Sequence, residues 1–171
     1  MAYELLAGTI NVEDTQRFLD VVNKVSMDSG AIIQAINAEN IAGREHADYA
    51  VKKAIKSFEN GKNIAKDLGL EILLYISARR HIQKALTMGV REGTINALFV
   101  VIGGELEVKK ASVALNKLIV VRPEVMDYTE SKRSHIMEAF DITHIEVDAA
   151  GGPEKIPMLV LERVALFDAF K

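Results

Sequence analysis

The chain has 171 residues, 49% hydrophobic and 26% charged, which suffices for one domain with a sizeable core and matches an ordinary soluble globular protein. It contains no cysteine, so disulfides, thiolate nucleophiles and cysteine-ligated metals are excluded, and a reducing, cytoplasmic location is expected. The formal charge of −3 is unevenly spread: residues 44–91 carry ten Lys or Arg against five acids, net +5, and the rest of the chain carries −8, the pattern of an acidic protein with one anion-facing module.

The opening MAYELLAGTI lacks the basic and apolar regions of a signal peptide, and no apolar run approaches the roughly 20 residues that span a bilayer. Tyr3 to Ile10 reads as a strand. A helix follows from about Glu13, with Phe18, Leu19, Val22 and Val25 on one face, closed by the Asp28–Ser29–Gly30 turn. Ala31 to Ala38 is a buried strand. A long helix covers Ile41 to Asn60, with Asn40 as its N-cap and Gly61 just past its end. Ala47, Ala50, Val51, Ala54, Ile55 and Phe58 give it one apolar face, and Arg44, Lys52, Lys53 and Lys56 lie opposite.

Leu70 to Ser77 predicts a strand, Ala78 to Met88 a helix, and Asn96 to Ile102 another buried strand ending at the Gly103–Gly104 turn. Between Glu105 and Val121 a helix and a strand compete, until Arg122–Pro123 breaks the pattern. A helix is expected near Glu130 to Phe140, a strand at His144 to Val147, and a closing helix with Pro157 as its first residue. No repeat, linker or low-complexity tract interrupts the chain. The reading is α/β (α+β): a single domain over residues 1–171, a mixed β-sheet flanked by helices.

The junction after Ser77 has no glycine between Ile76 and Ile82, so no backbone loop can cradle a phosphate there. Side chains stand in its place: Arg79, Arg80, His81, Gln83 and Lys84. On a helical wheel Ala78, Ile82, Ala85 and Leu86 share one side, Arg79, Arg80, Gln83 and Lys84 the other, and His81 sits at the boundary. Two arginines in a first turn run against the macrodipole's preference for cations at the C-terminus. That placement suggests a phosphate site, with Gln83 available to a base edge and His81 to stacking. The alternative is a solvated polar face.

From Met158 to Phe170 only Glu162, Arg163 and Asp168 are charged, and apolar residues go all the way round. Such a helix is either deeply packed or presents one face to another protein. Catalytic patterns are absent. His46, His81, His135 and His144 are scattered without metal-ligand spacing, there is no GxSxG elbow, and the glycine pairs do not fit a phosphate loop. No enzyme activity, cofactor or metal is expected.

The segment GKNIAKDLGLEILLYISARRHIQKALTMGV, with the closing LVLERVALFD, resembles the smallest regulatory subunit of the KEOPS complex in its archaeal form, the family of the p53-related protein kinase-binding protein. The shared pattern is an EILLYxS strand followed by an R-Q/H-I-x-x-A helix. Arg80–His81–Ile82 stands where the family usually shows Arg-Gln-Ile. The resemblance runs over most of the chain and is strongest between Ala54 and Val90. It implies a mixed sheet flanked by helices, no catalysis, and binding and stimulation of a small atypical kinase/ATPase subunit. It further implies a part in threonylcarbamoyladenosine modification of tRNA, with capture of the tRNA 3′ CCA end.

On that basis Lys62, Asn63, Arg79, Arg80, His81, Gln83 and Lys84 are expected to hold RNA, with Lys52, Lys53 and Lys56 steering its backbone. Leu161, Val164, Ala165 and Phe167 are expected to meet the kinase/ATPase subunit. Neither a membrane nor a small-molecule substrate is expected as a partner. A pure protein–protein interaction module without direct RNA binding is the alternative, and a phosphate-ligand enzyme the remote third.

Overall fold

A computed structural model describes all residues, 1–171. In chain order its elements are β1 (Ala2–Val12), α1 (Thr15–Ser29), β2 (Ile32–Asn37), α2 (Arg44–Glu59), α3 (Leu68–Ser77), α4 (Ile82–Ala85), β3 (Gly93–Gly103), α5 (Glu105–Leu115), β4 (Val120–Val121), α6 (Arg133–Ala139), α7 (His144–Ala150) and α8 (Ile156–Phe170), joined by short 3-10 turns. The α/β class read from the sequence holds. The chain divides into two compact units, Met1–Ala38 with Gly89–Val125, and Glu39–Met88 with Met126–Lys171.

The first unit holds the whole sheet, in the order β2-β3-β1-β4, and all three pairings are antiparallel. β1 and β3 pair along their full lengths, from Ala2 opposite Gly103 to Val12 opposite Gly93. Every residue from Ala97 to Ile102 is buried, which is why that run reads as continuously apolar rather than alternating. One sheet face, with Leu6, Ile10, Ala35, Phe99 and Val101, forms a core with Val22 of α1 and Val108, Ala111 and Leu115 of α5. Each large aliphatic side chain buried there contributes about 1.5–3 kcal/mol. Asp14 caps α1 by accepting from the Arg17 N–H at 2.9 Å, and Gly30, left-handed at φ 81°, ends it at the predicted turn. The contested stretch after Glu105 contains both elements, α5 and then β4.

Gly8 sits where β4 crosses β1, opposite Val121. A Cβ added there would collide with the Val120 carbonyl oxygen, a backbone atom with little room to move. Gly8→Ala is therefore expected to displace β4 and to cost about 2–3 kcal/mol, read as a lower urea midpoint with an unchanged slope.

The second unit is helical. α2 and α3 form an antiparallel hairpin: His46 near the start of α2 bonds the Ile76 carbonyl, and Ser57 near its end donates to Glu71 at 3.3 Å. Ala47, Ala50 and Ala54 on the buried face of α2 let the two helices approach closely. Four sequence expectations are corrected here. Leu70 to Ser77 is not a strand but most of α3, whose N-terminus is capped by Asp67 accepting from the Leu70 N–H at 2.9 Å. All of α3 except Leu70 is buried, so no polar face marks a helical period and a short apolar run reads equally as strand.

The helix expected over Ala78 to Met88 shrinks to the four residues of α4 and a following 3-10 turn. Ala78 is left-handed at φ 52°, and that conformation ends α3 and leaves Arg79 and Arg80 in a connection rather than in a helix's first turn. His144 to Val147 is helical, opening with a capping box in which Thr143 accepts from the Glu146 N–H and Glu146 accepts from the Thr143 N–H. Asn40 does not cap α2. Gly43 stands at that position, and Asn40 turns its side chain elsewhere. The closing helix does begin with a proline in its first turn, as expected, and buries Ile156, Leu159, Val160, Val164 and Phe167.

Candidate functional site

The hairpin of α2 and α3 splits the basic residues into two groups. His46 and Ser57 stand about 16 Å apart along α2. Arg79 to Lys84 follow the end of α3, beside the His46 end, whereas Lys53, Lys56 and Lys62 gather at the Ser57 end. Sequence proximity suggested one RNA-binding face for all of them; the helical hairpin separates it into two.

At the His46 end, two buried groups fix the local backbone. The imidazole of His46 accepts from the Ala42 N–H at its Nδ1 (3.1 Å), so its proton sits on Nε2, which donates to the Ile76 carbonyl at 3.0 Å. Burial is the main cause that pushes this histidine down to about 4, aided by the charge of Lys132 and opposed by the bond to Ile76. Lys132, itself buried, donates to the Ile41 carbonyl at 2.9 Å, and burial brings its ammonium down to about 8 against the pull of Glu39 and Asp127.

This end carries an open pocket of about 360 Å³, whose lining includes Asn40, Arg79, Lys84, His135 and Glu138. Asn40 donates from Nδ2 to the Met88 carbonyl, which leaves its Oδ1 to accept from Nε2 of His135 at 2.6 Å. Arg79 donates to the Ala139 carbonyl at 2.9 Å and pairs with Asp141 at 3.0 Å. Both contacts use Nη2, so this guanidinium anchors the loop while it lines the pocket. Arg80, His81, Gln83 and Lys84 are exposed, and none of them makes an ion pair. Asn40 and His135, 95 residues apart, join at this pocket without any sequence signal that links them.

Lys52 pairs with Asp48 at 2.8 Å midway along α2, and towards the other end Lys53 pairs with Asp168 at 3.0 Å. Asp168 also accepts from the Tyr75 hydroxyl at 2.7 Å. The hydrogen bond and charge of Asp168 hold the Lys53 ammonium above its usual range. Burial alone would raise Asp168, but the bonds from Tyr75 and Lys53 outweigh it and its carboxyl lies below the usual range. Asn63 is half-buried and donates to the Ala65 carbonyl, a bond within its own loop. Glu71, 0% exposed, accepts from the Ile64 and Ala65 N–H groups, and Lys171 reaches it at 3.5 Å while also bonding Ser57 and the Lys62 carbonyl.

On α8 the expected partner residues fall on two sides. Val164 and Phe167 face inward, Phe167 packing edge-on against Tyr75 with ring centres 5.0 Å apart. Neither is available to a partner, because both are needed to close the helical core. Leu161 and Ala165 are half-buried, and the exposed stripe is Met158, Glu162, Leu166, Ala169 and Phe170, with Phe170 77% exposed. No three His, Asp or Glu side chains come together as a metal site, and no helix is long and apolar enough to cross a membrane.

These features can be set beside known proteins. Residues 11–168 match the family described as kinase binding protein CGI-121. The chain belongs to the CGI-121 family. Within it, the regulatory protein Cgi121 of Methanocaldococcus jannaschii is 26% identical over 161 residues, covering 88% of this chain and 92% of that protein. The family match runs through every element from the end of β1 into α8, so both basic groups and the apolar stripe as far as Leu166 lie within the matched region. The family and the archaeal relative carry names of kinase binding and regulation.

Proposed function

We propose that this CGI-121 protein is a non-catalytic accessory subunit that docks on a kinase-like ATPase and stimulates it, and that it holds the 3′ CCA end of tRNA during threonylcarbamoyladenosine modification by a KEOPS assembly. The kinase half rests on the family and on the exposed apolar stripe of α8. One observation carries the RNA half: Arg80, His81, Gln83 and Lys84 are exposed in one short stretch without ion pairs, and Lys84 lines a pocket together with Arg79 and the exposed His135. Cations for phosphates, an imidazole for stacking and the Gln83 amide for a base edge suit an unpaired RNA end better than a duplex, whose bases are already paired and stacked.

The test is fluorescence anisotropy of the protein with a tRNA transcript and with the same transcript lacking CCA. The intact transcript is expected to bind more tightly, and Arg80→Glu with Lys84→Glu to weaken it by about 100-fold, through lost phosphate contacts and added repulsion. Binding of the kinase-like subunit should be unchanged in that variant. Equal binding of both transcripts would mean generic electrostatics or another site, and no binding of either would favour the pure protein-interaction module instead.

A further inference from the structure

The lysines at the far end of the hairpin are left without a role once the RNA rim is placed at Arg80 to Lys84. Lys53, Lys56, Lys62 and Lys171 line one pocket of about 190 Å³, together with Ser57, Asn60 and Asp168. Two of the four ammonium groups are already satisfied within the protein, Lys53 by Asp168 and Lys171 by Ser57, the Lys62 carbonyl and Glu71. Lys56 and Lys62 are exposed and have no carboxylate partner. Lys56 lies in the last turn of α2, where a cation complements the helix dipole. That effect needs no second exposed ammonium beyond the helix end, and Lys62 supplies one.

The position of this pocket identifies its neighbour. The Lys53–Asp168 pair and the bonds of Lys171 fasten the last turn of α8 to the end of α2. On α8, Leu161, Ala165 and Asp168 form one flank at i, i+4 and i+7 that borders the exposed Met158, while Leu166 and Phe170 lie about 160° round the helix from Asp168. On α2, Tyr49, Lys53, Lys56 and Asn60 form the matching row, with the Lys53 ammonium 5.6 Å from the Tyr49 ring centre. The half-buried apolar flank of Leu161 and Ala165 therefore borders a surface with two unneutralised positive charges.

We infer that the surface taking the protein partner extends from α8 onto the end of α2, and that the partner brings carboxylates to Lys56 and Lys62. The inference rests on the partner-docking half of the reading above and adds the chemistry of the partner: an apolar patch flanked by acidic side chains. The lysines stand at the opposite end of α2 from Arg80 to Lys84 and on the side of α8 that carries Leu161 and Ala165, which favours a protein over the RNA as their partner. Rim charges of this kind act mainly on encounter, steering the partner and fixing its register.

The kinase-like ATPase subunit, immobilised, is titrated at low and high salt with wild-type protein, with Lys56→Glu/Lys62→Glu, and with Lys56→Arg/Lys62→Arg, and tRNA binding is measured in parallel. Both positions are exposed, so all variants should melt with the wild type. The glutamate variant is expected to associate about tenfold more slowly with a flatter salt dependence, the arginine variant like wild type, and tRNA affinity to stay within about twofold. Partner binding that is unchanged in the glutamate variant overturns the inference. So does loss of tRNA binding with the partner contact intact, which would give these lysines to RNA phosphates. A wild-type protein that fails to bind the subunit overturns the docking reading itself, and the inference falls with it.

Discussion

Val164→Arg is expected to abolish folding, not merely to release a partner. Val164 is 0% exposed and sits between Val160 and Phe167 on the inward side of α8. A guanidinium there has no carboxylate to meet, and burying it unpaired while overpacking the site costs upward of about 5 kcal/mol. Domains of this size typically hold about 5–15 kcal/mol in total, so a single such change consumes most or all of it. Circular dichroism should show no cooperative melt, and gel filtration should show aggregate. Leu166→Arg, on the outward side at 46% exposure, should melt like wild type and lose affinity for the kinase-like subunit. A folded Val164→Arg protein would mean that α8 detaches from the core at little cost.

Acid should destabilise the protein over a window set by His46. Its folded value of about 4 lies below the 6.5 of an unfolded chain, so the unfolded state takes up the proton first. Stability is therefore fully present above about pH 6.5, declines as the pH falls from there towards 4, and is lost by an amount on the order of 3 kcal/mol. Lys132 has the same sign but a different window. Its folded value of about 8 lies below the usual 10.5, so its effect develops as the pH falls from about 10.5 to 8 and is constant below that. Urea midpoints measured across the range separate the two. His46→Ala should be less stable at neutral pH, because the Ala42 N–H and the Ile76 carbonyl lose their partner, and its curve should flatten between pH 6.5 and 4.

Legibility followed the sidedness of each element. α1, α2 and the strands at Tyr3 and Asn96 carried a clear period, a capping residue or a glycine stop, and their positions follow from those signals. α3 has none of these on its surface, because it is buried on nearly every side; only Asp67 before it hinted at a helix start. α7 was legible in principle, since Thr143 and Glu146 have the spacing of a capping box, but His144 to Val147, with Ile145 and Val147 alternating with polar residues, drew the strand reading. The uniformly apolar closing helix gave no rotation, so its inward and outward residues could not be sorted by pattern. The division of the basic residues was beyond any local signal. It depends on α3 running back along α2, and a wheel of one helix cannot show which end of its neighbour a side chain reaches.

The clamp of Arg79 on the Ala139 carbonyl and Asp141 has a consequence for how a ligand would be received. Ala78, left-handed, aims the chain out of α3, and Arg79 then pins its first residue, so Arg80 to Lys84 leave from an anchored root instead of a free strand. Much of the ordering that a mobile loop undergoes on capture has thereby been settled during folding. On the RNA reading proposed above, selectivity there would rest on fit to a preset spacing of charges rather than on a loop that closes around its ligand.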